Sequence, residues 1–499
     1  MKRRVSLVLA LGTVAALTLL APGAGAKSPA CENRNNNTVK KLLECVTLDG
    51  VREHQAAFQA IADANGGTRV SGRPGYDASV EYVAEKARAA GYRVTVQEFP
   101  FVFFVELVEE GREVSPTERD LQPDAMTYSP PTPAGGITRP VAVVPEDADT
   151  GCTADDFASQ SYAGTIAFIR RGGCTFALKA ANGADAGADA AVIVNNTPGP
   201  LAGTLSSPAN ATIPTVGVAK EFGDPVIADA AAGPTTVFLN IETIQEDSVS
   251  YNVLAESRRG NPDDVVMVGA HLDSVFEGPG INDNGSGSAA VLEVAEQMRK
   301  VKPRNKVRFA WWGSEEFGLV GSNHYVATLS EEEREDIALY LNFDMIGSPN
   351  YVRFIYDGDG SAFGLAGPEG SAAIEELYEG FYDARGLAHE PTEISFRSDY
   401  AAFFDAGIPF GGLFTGAEGI KTPAQEATYG GTAGQQYDPC YHQACDTFAN
   451  VALDVLDLNS DAVAFSTLTY AMNTRSVNGE GSAKGNFRST ERLLEQSVR

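Results

Sequence analysis

The sequence predicts an α/β protein in which a mostly parallel or mixed central sheet carries helices on both faces and is interrupted by a small, β-rich α+β insertion. Three observations predict it. Strand and helix patterns alternate after Ser248, the strands are continuous apolar runs rather than half-polar ones, and between 112 and 246 the chain turns rich in Ala, Gly and Pro. At 499 residues and 43% hydrophobic, the chain is long enough for two domains and too apolar to stay unfolded.

Residues 1–26 read as an export signal peptide: Lys2-Arg3-Arg4, then an apolar run from Val5 to Ala21, then the small-x-small cleavage pattern Ala24-Gly25-Ala26. The run falls short of the ~20 residues that a spanning helix requires and ends in Pro and Gly. A secreted, extracellular protein without stable membrane insertion is therefore expected. Residues 27–111 and 247–474 are expected to form one discontinuous domain around the insertion at 112–246. In its first part, Ala56, Ala57, Ile61 and Ala62, and then Val80, Tyr82, Val83 and Ala87, recur at helical spacing on either side of the break Gly66–Gly75. Arg93–Phe99 alternates as a strand. The insertion opens on Ser129-Pro130-Pro131-Thr132-Pro133 and holds short β-branched runs at Thr165–Ile169, Ala190–Val194 and Thr215–Val218. Beyond it come strands at Val265–Ala270, Val307–Trp312 and Tyr340–Phe343, with a helix at Ser288–Lys300. Residues 475–499 are rich in Gly, Ser and charge and are expected to form a flexible tail.

Lys and Arg number 38 against 66 Asp and Glu, a formal net charge of −28 that repels nucleic acid phosphates and anionic lipid head groups. Nucleic acid is thereby excluded as a partner, and a monomer is expected. No glycine-rich nucleotide motif follows a strand. Six cysteines fall into sequence-local pairs, Cys31 with Cys45, Cys152 with Cys174 and Cys440 with Cys445, which an exported chain would join as disulfides. Proximity alone suggests that pairing. No CxxC knuckle is present to hold a structural zinc.

The residues that carry chemistry sit where strands end. His271 closes the strand Val265–Ala270, with Asp273 two residues on. Asp283 lies in the glycine-rich turn Gly280–Gly287, Glu315 and Glu316 follow Val307–Trp312, Asp344 follows Tyr340–Phe343, and Tyr441-His442 lies between Cys440 and Cys445. The C-terminal ends of parallel strands form the crevice in which open α/β sheets bind ligands. Taken singly, each acid is ordinarily a helix cap or a solvated loop residue. His54, His324 and His389 have no such company and are read as structural or solvated. Taken together, imidazoles and carboxylates without thiolates match catalytic rather than structural zinc. Five ligands exceed what one tetrahedral zinc with a water requires, whereas with one bridging carboxylate they serve two ions. Neighbouring Glu315 and Glu316 point apart in a turn, so one can bind metal while the other acts as base.

These same segments carry a family resemblance. Ala270-His271-Leu272-Asp273-Ser274, Gly280–Gly287, Trp311-Trp312-Gly313-Ser314-Glu315-Glu316, Leu341–Gly347 and Asp438-Pro439-Cys440-Tyr441-His442 resemble the M28 family of dizinc aminopeptidases, with the zinc exopeptidase fold. Within it they are most similar to the secreted Streptomyces-type leucine aminopeptidases, over about 47–111 and 248–474. The resemblance implies two zinc ions, one held by His271 and Asp344, the other by Glu316 and His442, with Asp283 bridging. It implies Asp273 as the residue orienting His271, Glu315 as general base and Tyr441 as the hydroxyl that stabilises the oxyanion. Arg397, in Phe396-Arg397-Ser398-Asp399, would hold substrate, and Phe414 would wall the pocket for a large apolar side chain. Many relatives carry His where this chain has Tyr400. Asp457 and Asp461, four apart on one helix face, match carboxylates that bind calcium in the Streptomyces-type enzymes, although paired surface acids are also commonly just solvated.

The insertion has its own resemblance. Gly164–Phe176, with Lys179, Asn182 and Ala186-Gly187-Ala188, is similar to a protease-associated (PA) domain, which in the family caps the active site or selects substrates. The reading implied by both resemblances is a secreted zinc aminopeptidase acting on peptide or protein N-termini, with Leu-like residues preferred. Its rivals are a carboxypeptidase-like or glutaminyl-cyclase-like relative on the same fold, and a non-catalytic scaffold. A scaffold would have shed ligands or base, and all are present here.

Overall fold

The structure is a computed structural model that describes residue 31 and residues 33–479. The export signal at 1–26 lies outside the described residues. After one turn of helix at Val39–Leu43, helix α1 (Leu48–Ala64) begins where the Thr47 hydroxyl accepts the Gly50 N–H at 3.1 Å. Helix α2 (Pro74–Ala89) begins with proline, which forfeits no hydrogen bond at that position. These are the two helices expected around the break Gly66–Gly75.

Strand β1 (Arg93–Ser115) runs for 23 residues, well past the expected end at Phe99. After the short strands β2 (Arg119–Asp120) and β3 (Asp124–Ala125) come β4 (Ile137–Val143), β5 (Ile166–Arg170), helix α3 (Phe176–Asp185), β6 (Ala190–Val194), β7 (Thr215–Val218) and helix α4 (Lys220–Ala232). Strand β8 (Thr236–Glu256) then returns antiparallel along β1, from Ser115 opposite Thr236 to Arg93 opposite Glu256. This ribbon makes the sheet continuous. One end of β8 pairs with β4, and its other end pairs with β10 (Asn305–Trp312). The strands of the inserted segment thus continue the same sheet, with their own apolar core around Phe168, Val192 and Val216.

Strand β9 (Asn261–His271) is followed by helix α5 (Gly285–Met298), β10, β11 (Ile337–Phe343), β12 (Phe354–Tyr356), helix α6 (Ser371–Asp383), β13 (Glu390–Thr392), β14 (Phe410–Phe414) and helix α7 (Leu453–Met472). Strands β14, β11, β9 and β10 lie side by side in that order and are parallel. Side chains alternate across them: Val266, Val268 and Ala270 of β9 enter the core shared with α1, α2, α5, α6 and α7. Val265 and Met267 enter a second core with Trp312, Tyr340 and Phe403 on the opposite face. Both faces are covered, which is why these strands read as unbroken apolar runs.

All three sequence-local disulfides are formed. The expected loose tail starts instead as a helical turn at Arg475–Asn478, because Val477 is buried in the first core; residues from 480 onward lie outside the described residues. Among the described residues no helix is long and apolar enough to cross a membrane. His54 is fully buried, with its Nδ1 2.8 Å from the Tyr82 hydroxyl, and His324 and His389 stack on Phe99 and Tyr382.

Candidate metal centre

Parallel register brings the strand ends to one edge. Trp312 lies opposite His271, and Phe343 opposite Leu413, so His271, Glu315, Glu316 and Asp344 emerge side by side. Asp283 arrives from the turn before α5. That turn is fixed by Asn284, whose side chain accepts the N–H groups of Gly287 and Met345 at 2.9 and 3.2 Å and donates to the Phe343 carbonyl at 2.9 Å. A Cβ at Gly287 would collide with that same carbonyl. Three non-glycine residues at the edge adopt left-handed backbone, Ser314 (φ 53°), Met345 (φ 50°) and His442 (φ 56°). Such conformations cost energy and concentrate where a site dictates side-chain direction.

The five expected ligands converge. His271 Nε2 lies 3.2 Å from both Asp283 Oδ1 and Asp344 Oδ1. His442 Nε2 lies 3.3 Å from Asp283 Oδ2 and 3.1 Å from Glu316 Oε2. These contacts are His–carboxylate ion pairs, and their separations match the about 3.3 Å between two donors each about 2.0–2.1 Å from one tetrahedral zinc. The two oxygens of Asp283 face different imidazoles, as a bridging carboxylate requires. Glu316 Oε1 is buried with no protein partner. The donor set fits a pair of zinc ions.

Electrostatics agree with a site that calls for cations. Burial alone would push the His271 and His442 imidazoles down, but the surrounding carboxylates outweigh it and raise both, His442 up to about 11. Burial, joined by the charges of Glu316 and Asp344, raises the Glu315 carboxyl well above its ordinary range. Burial and then Asp283 push Glu316 up to about 7. Too many buried acids share too few positive charges.

The Asp273 carboxylate stands 3.7 Å from His271 Nδ1, within ion-pair reach of it, and also accepts the Glu315 N–H at 3.2 Å. The Nδ1 atom meets the Asp273 backbone carbonyl at 3.3 Å, a contact in which Nδ1 donates and which turns Nε2 toward Asp283 and Asp344. Tyr441 stacks on His442 with ring centroids 3.8 Å apart and accepts from Arg397 at 3.2 Å, while Arg397 pairs with Glu418 at 2.6 Å. Phe414 lines a cleft of about 340 Å³ that reaches the ligands, together with Phe354, Tyr356, Tyr400 and Tyr437. The Tyr400 hydroxyl accepts the Phe396 N–H at 2.8 Å, holding the segment that bears Arg397. Asp457 and Asp461 lie one turn apart on α7 and, among the described residues, join no group of three ligating side chains.

Sequence reasoning missed the residues that hold the ligands. Ser398 donates to Asp344 Oδ2 at 2.7 Å, which leaves Oδ1 toward His271. The buried Asp446 accepts the backbone N–H groups of Asn282 and Asp283 at 2.8 and 2.9 Å, and burial pushes its carboxyl up to about 8. Arg69, fully buried, donates to the carbonyls of Leu272, Pro279 and Gly280 and closes the loop between His271 and Asp283. The Ser398 signal was one residue from Arg397, and that of Asp446 one residue from Cys445. Arg69 carried none.

Comparison with known proteins joins this geometry. The model of peptidase family M28 matches residues 252–467, and that of the PA domain matches 137–226. An aminopeptidase of Pseudomonas aeruginosa is 49% identical over 463 residues, covering 89% of this chain and 84% of its own. Leucine aminopeptidase 2 of Trichophyton equinum is 44% identical over 432 residues, covering 87% and 84%. Among solved structures, an aminopeptidase from Aneurinibacillus sp. strain AM-1 matches with a TM-score of 0.68 at 27% identity, over 87% of this chain and 95% of that one. A zinc aminopeptidase from Bacillus subtilis matches at 0.57 and 26%, over 85% and 94%. With nearly half its residues shared along most of its length, the chain belongs to peptidase family M28 and carries a PA domain.

Proposed function

We propose that the chain is a secreted dizinc metallo-aminopeptidase that hydrolyses the first peptide bond of peptides, preferring large apolar N-terminal residues such as Leu. The observation that carries the reading is the two-sided placing of Asp283 between His271 and His442, at 3.2 and 3.3 Å, beside the buried carboxyl of Glu315. His271 and Asp344 would hold one zinc, Glu316 and His442 the other, and Asp283 both. When bound, the ions supply Lewis-acid polarisation of the scissile carbonyl and acidify a water.

The chain's own residues do the rest. Glu315 takes a proton from the attacking water and returns it to the leaving amine as the C–N bond breaks. Tyr441 donates its hydroxyl to the oxyanion, and Arg397 holds the phenol ring's end of the cleft against Glu418. Asp344 and Glu315 place negative charge where a free α-amino group docks. Phe354, Tyr356 and Phe414 offer an apolar wall to the first side chain. The insertion, taken as 112–246, supplies no ligand and is assigned to covering the site or selecting substrate.

The test is hydrolysis of a leucyl chromogenic amide by the purified chain before chelation, after it, and after zinc is restored. Activity is expected to vanish and return, and an amino-blocked leucyl substrate is expected to be inert. Cleavage of the blocked substrate would transfer the reading to the carboxypeptidase-like or cyclase-like rivals. A second expected result concerns Asp446. Asp446→Asn leaves one of the two N–H groups without an acceptor and loosens Asp283, so zinc affinity measured against a competing chelator is expected to fall about 10–100-fold.

A further inference from the structure

A second cluster of acids lies beyond the cleft wall, where β12 ends. Asp357 follows Tyr356 directly, Asp359 sits two residues on in the tight turn Asp357-Gly358-Asp359-Gly360-Ser361, and Glu375 reaches over from the first turns of α6. One oxygen of each carboxylate can be placed within 4.8 Å of one of each other. Each acid also spends one oxygen on bracing the loop. Asp357 Oδ2 accepts the N–H groups of Ala362 and Phe363 at 3.1 and 2.8 Å, Asp359 Oδ1 accepts that of Ser361 at 2.7 Å, and Glu375 Oε2 accepts that of Asp359 at 3.0 Å.

What separates this cluster from ordinary surface acids is the other oxygen of Asp357. Asp357 is 0% exposed, its carboxyl faces that of Asp359, and no N–H or O–H donor among the described residues reaches its buried Oδ1. A buried carboxylate oxygen left so costs free energy unless something positive meets it. No lysine, arginine or histidine among the described residues pairs with any of the three acids. Burial, with the neighbouring charges of Asp359, Glu379 and Asp357, pushes the Glu375 carboxyl up to about 7.

We propose that Asp357, Asp359 and Glu375 form a calcium site that ties the end of β12 to α6. The donors are all oxygen, which selects a hard cation over zinc or copper. Calcium fits better than magnesium, because carboxylates gathered from a turn and a helix suit its tolerant coordination geometry, with the exposed side of Asp359 open to water, better than the near-ideal octahedron that magnesium demands. Asp357, Asp359 and the tight Asp-Gly-Asp-Gly turn have the spacing of carboxylates in oxygen-ligand loops. The site stands apart from the zinc ligands and from Asp457 and Asp461. Tyr356, the residue before Asp357, lines the cleft, so the cation would hold the cleft wall in place.

The test uses the full chain loaded with zinc and stripped of calcium. Calorimetric titration with calcium is expected to show a Kd between roughly 10 µM and 1 mM, and 5 mM calcium is expected to raise Tm by about 2 °C or more. Asp359→Asn, on the exposed side of the turn, and Glu375→Gln are each expected to weaken calcium binding at least about tenfold and to remove the Tm shift. The double variant Asp457→Asn, Asp461→Asn is expected to keep both. Absence of calcium uptake at 5 mM, uptake indifferent to Asp359→Asn and Glu375→Gln, or equal affinity for magnesium would each overturn the proposal.

Discussion

Glu315→Gln is expected to lower kcat on a leucyl amide by about 10²–10⁴-fold while KM and the zinc content stay near their original values. Glutamine keeps the volume of the side chain in a pocket where Glu315 is only 8% exposed, so packing is not disturbed. The Glu315 backbone N–H still donates to Asp273, and the turn from β10 holds its shape. What is lost is the capacity to accept a proton beside His271 and Asp344, whose ligand atoms lie within 4.8 Å of the Glu315 carboxylate. Glu316 cannot substitute, because its Oε2 is turned toward His442 at 3.1 Å. Steady-state kinetics with metal analysis by mass spectrometry check this. Turnover within a few-fold of the parent, with both metals present, would remove Glu315 from the role of base.

Most of the site was legible because His271, Glu315, Glu316 and Asp344 each follow a short apolar run that reads as a buried strand, whereas His442 was marked only by the cysteines on either side of it. His271, Glu315, Glu316 and Asp344 share one edge once those strands are taken as parallel neighbours, and Asp283 announces itself by its glycines. The supports were not legible, since they act through backbone atoms across long separations: Ser398 on Asp344, Asp446 on Asp283, Arg69 on three carbonyls of the 272–280 loop. No period or spacing connects such pairs. The aromatic wall was half legible. Phe414 was reached only through the family resemblance of its segment, whereas Phe354 and Tyr356 belong to a three-residue strand too short to leave a pattern. The continuity of the sheet was hidden for a related reason. Pro100 and the run Phe101–Val105 mask the alternation of β1 past Phe99, and its partner β8 lies more than a hundred residues away in the chain.

Asp283→Ala is expected to separate metal binding from acid–base chemistry in the opposite sense. Asp283 Oδ1 and Oδ2 face His271 and His442, so its removal strips one donor from each zinc position at once. The carboxylate also holds a charge state that its neighbours depend on: its pKa is driven down, because the hydrogen bonds and charges of His271 and His442 outweigh its burial. Without it, the two imidazoles keep Asp344, Glu315 and Glu316 as their carboxylate neighbours, and the charge that draws two cations together is reduced by one. Zinc content is expected to fall to one ion or fewer per chain, and turnover by roughly 10³-fold or more. Excess zinc restores little, since the bridge itself is missing. Glu315→Gln, by contrast, keeps its metals and loses only proton transfer, so the two variants make distinguishable predictions for the same assay. Asp283→Ala with two tightly held zinc ions would mean that Glu316 or Asp344 bridges instead, and the ligand assignment would have to be redrawn around that residue.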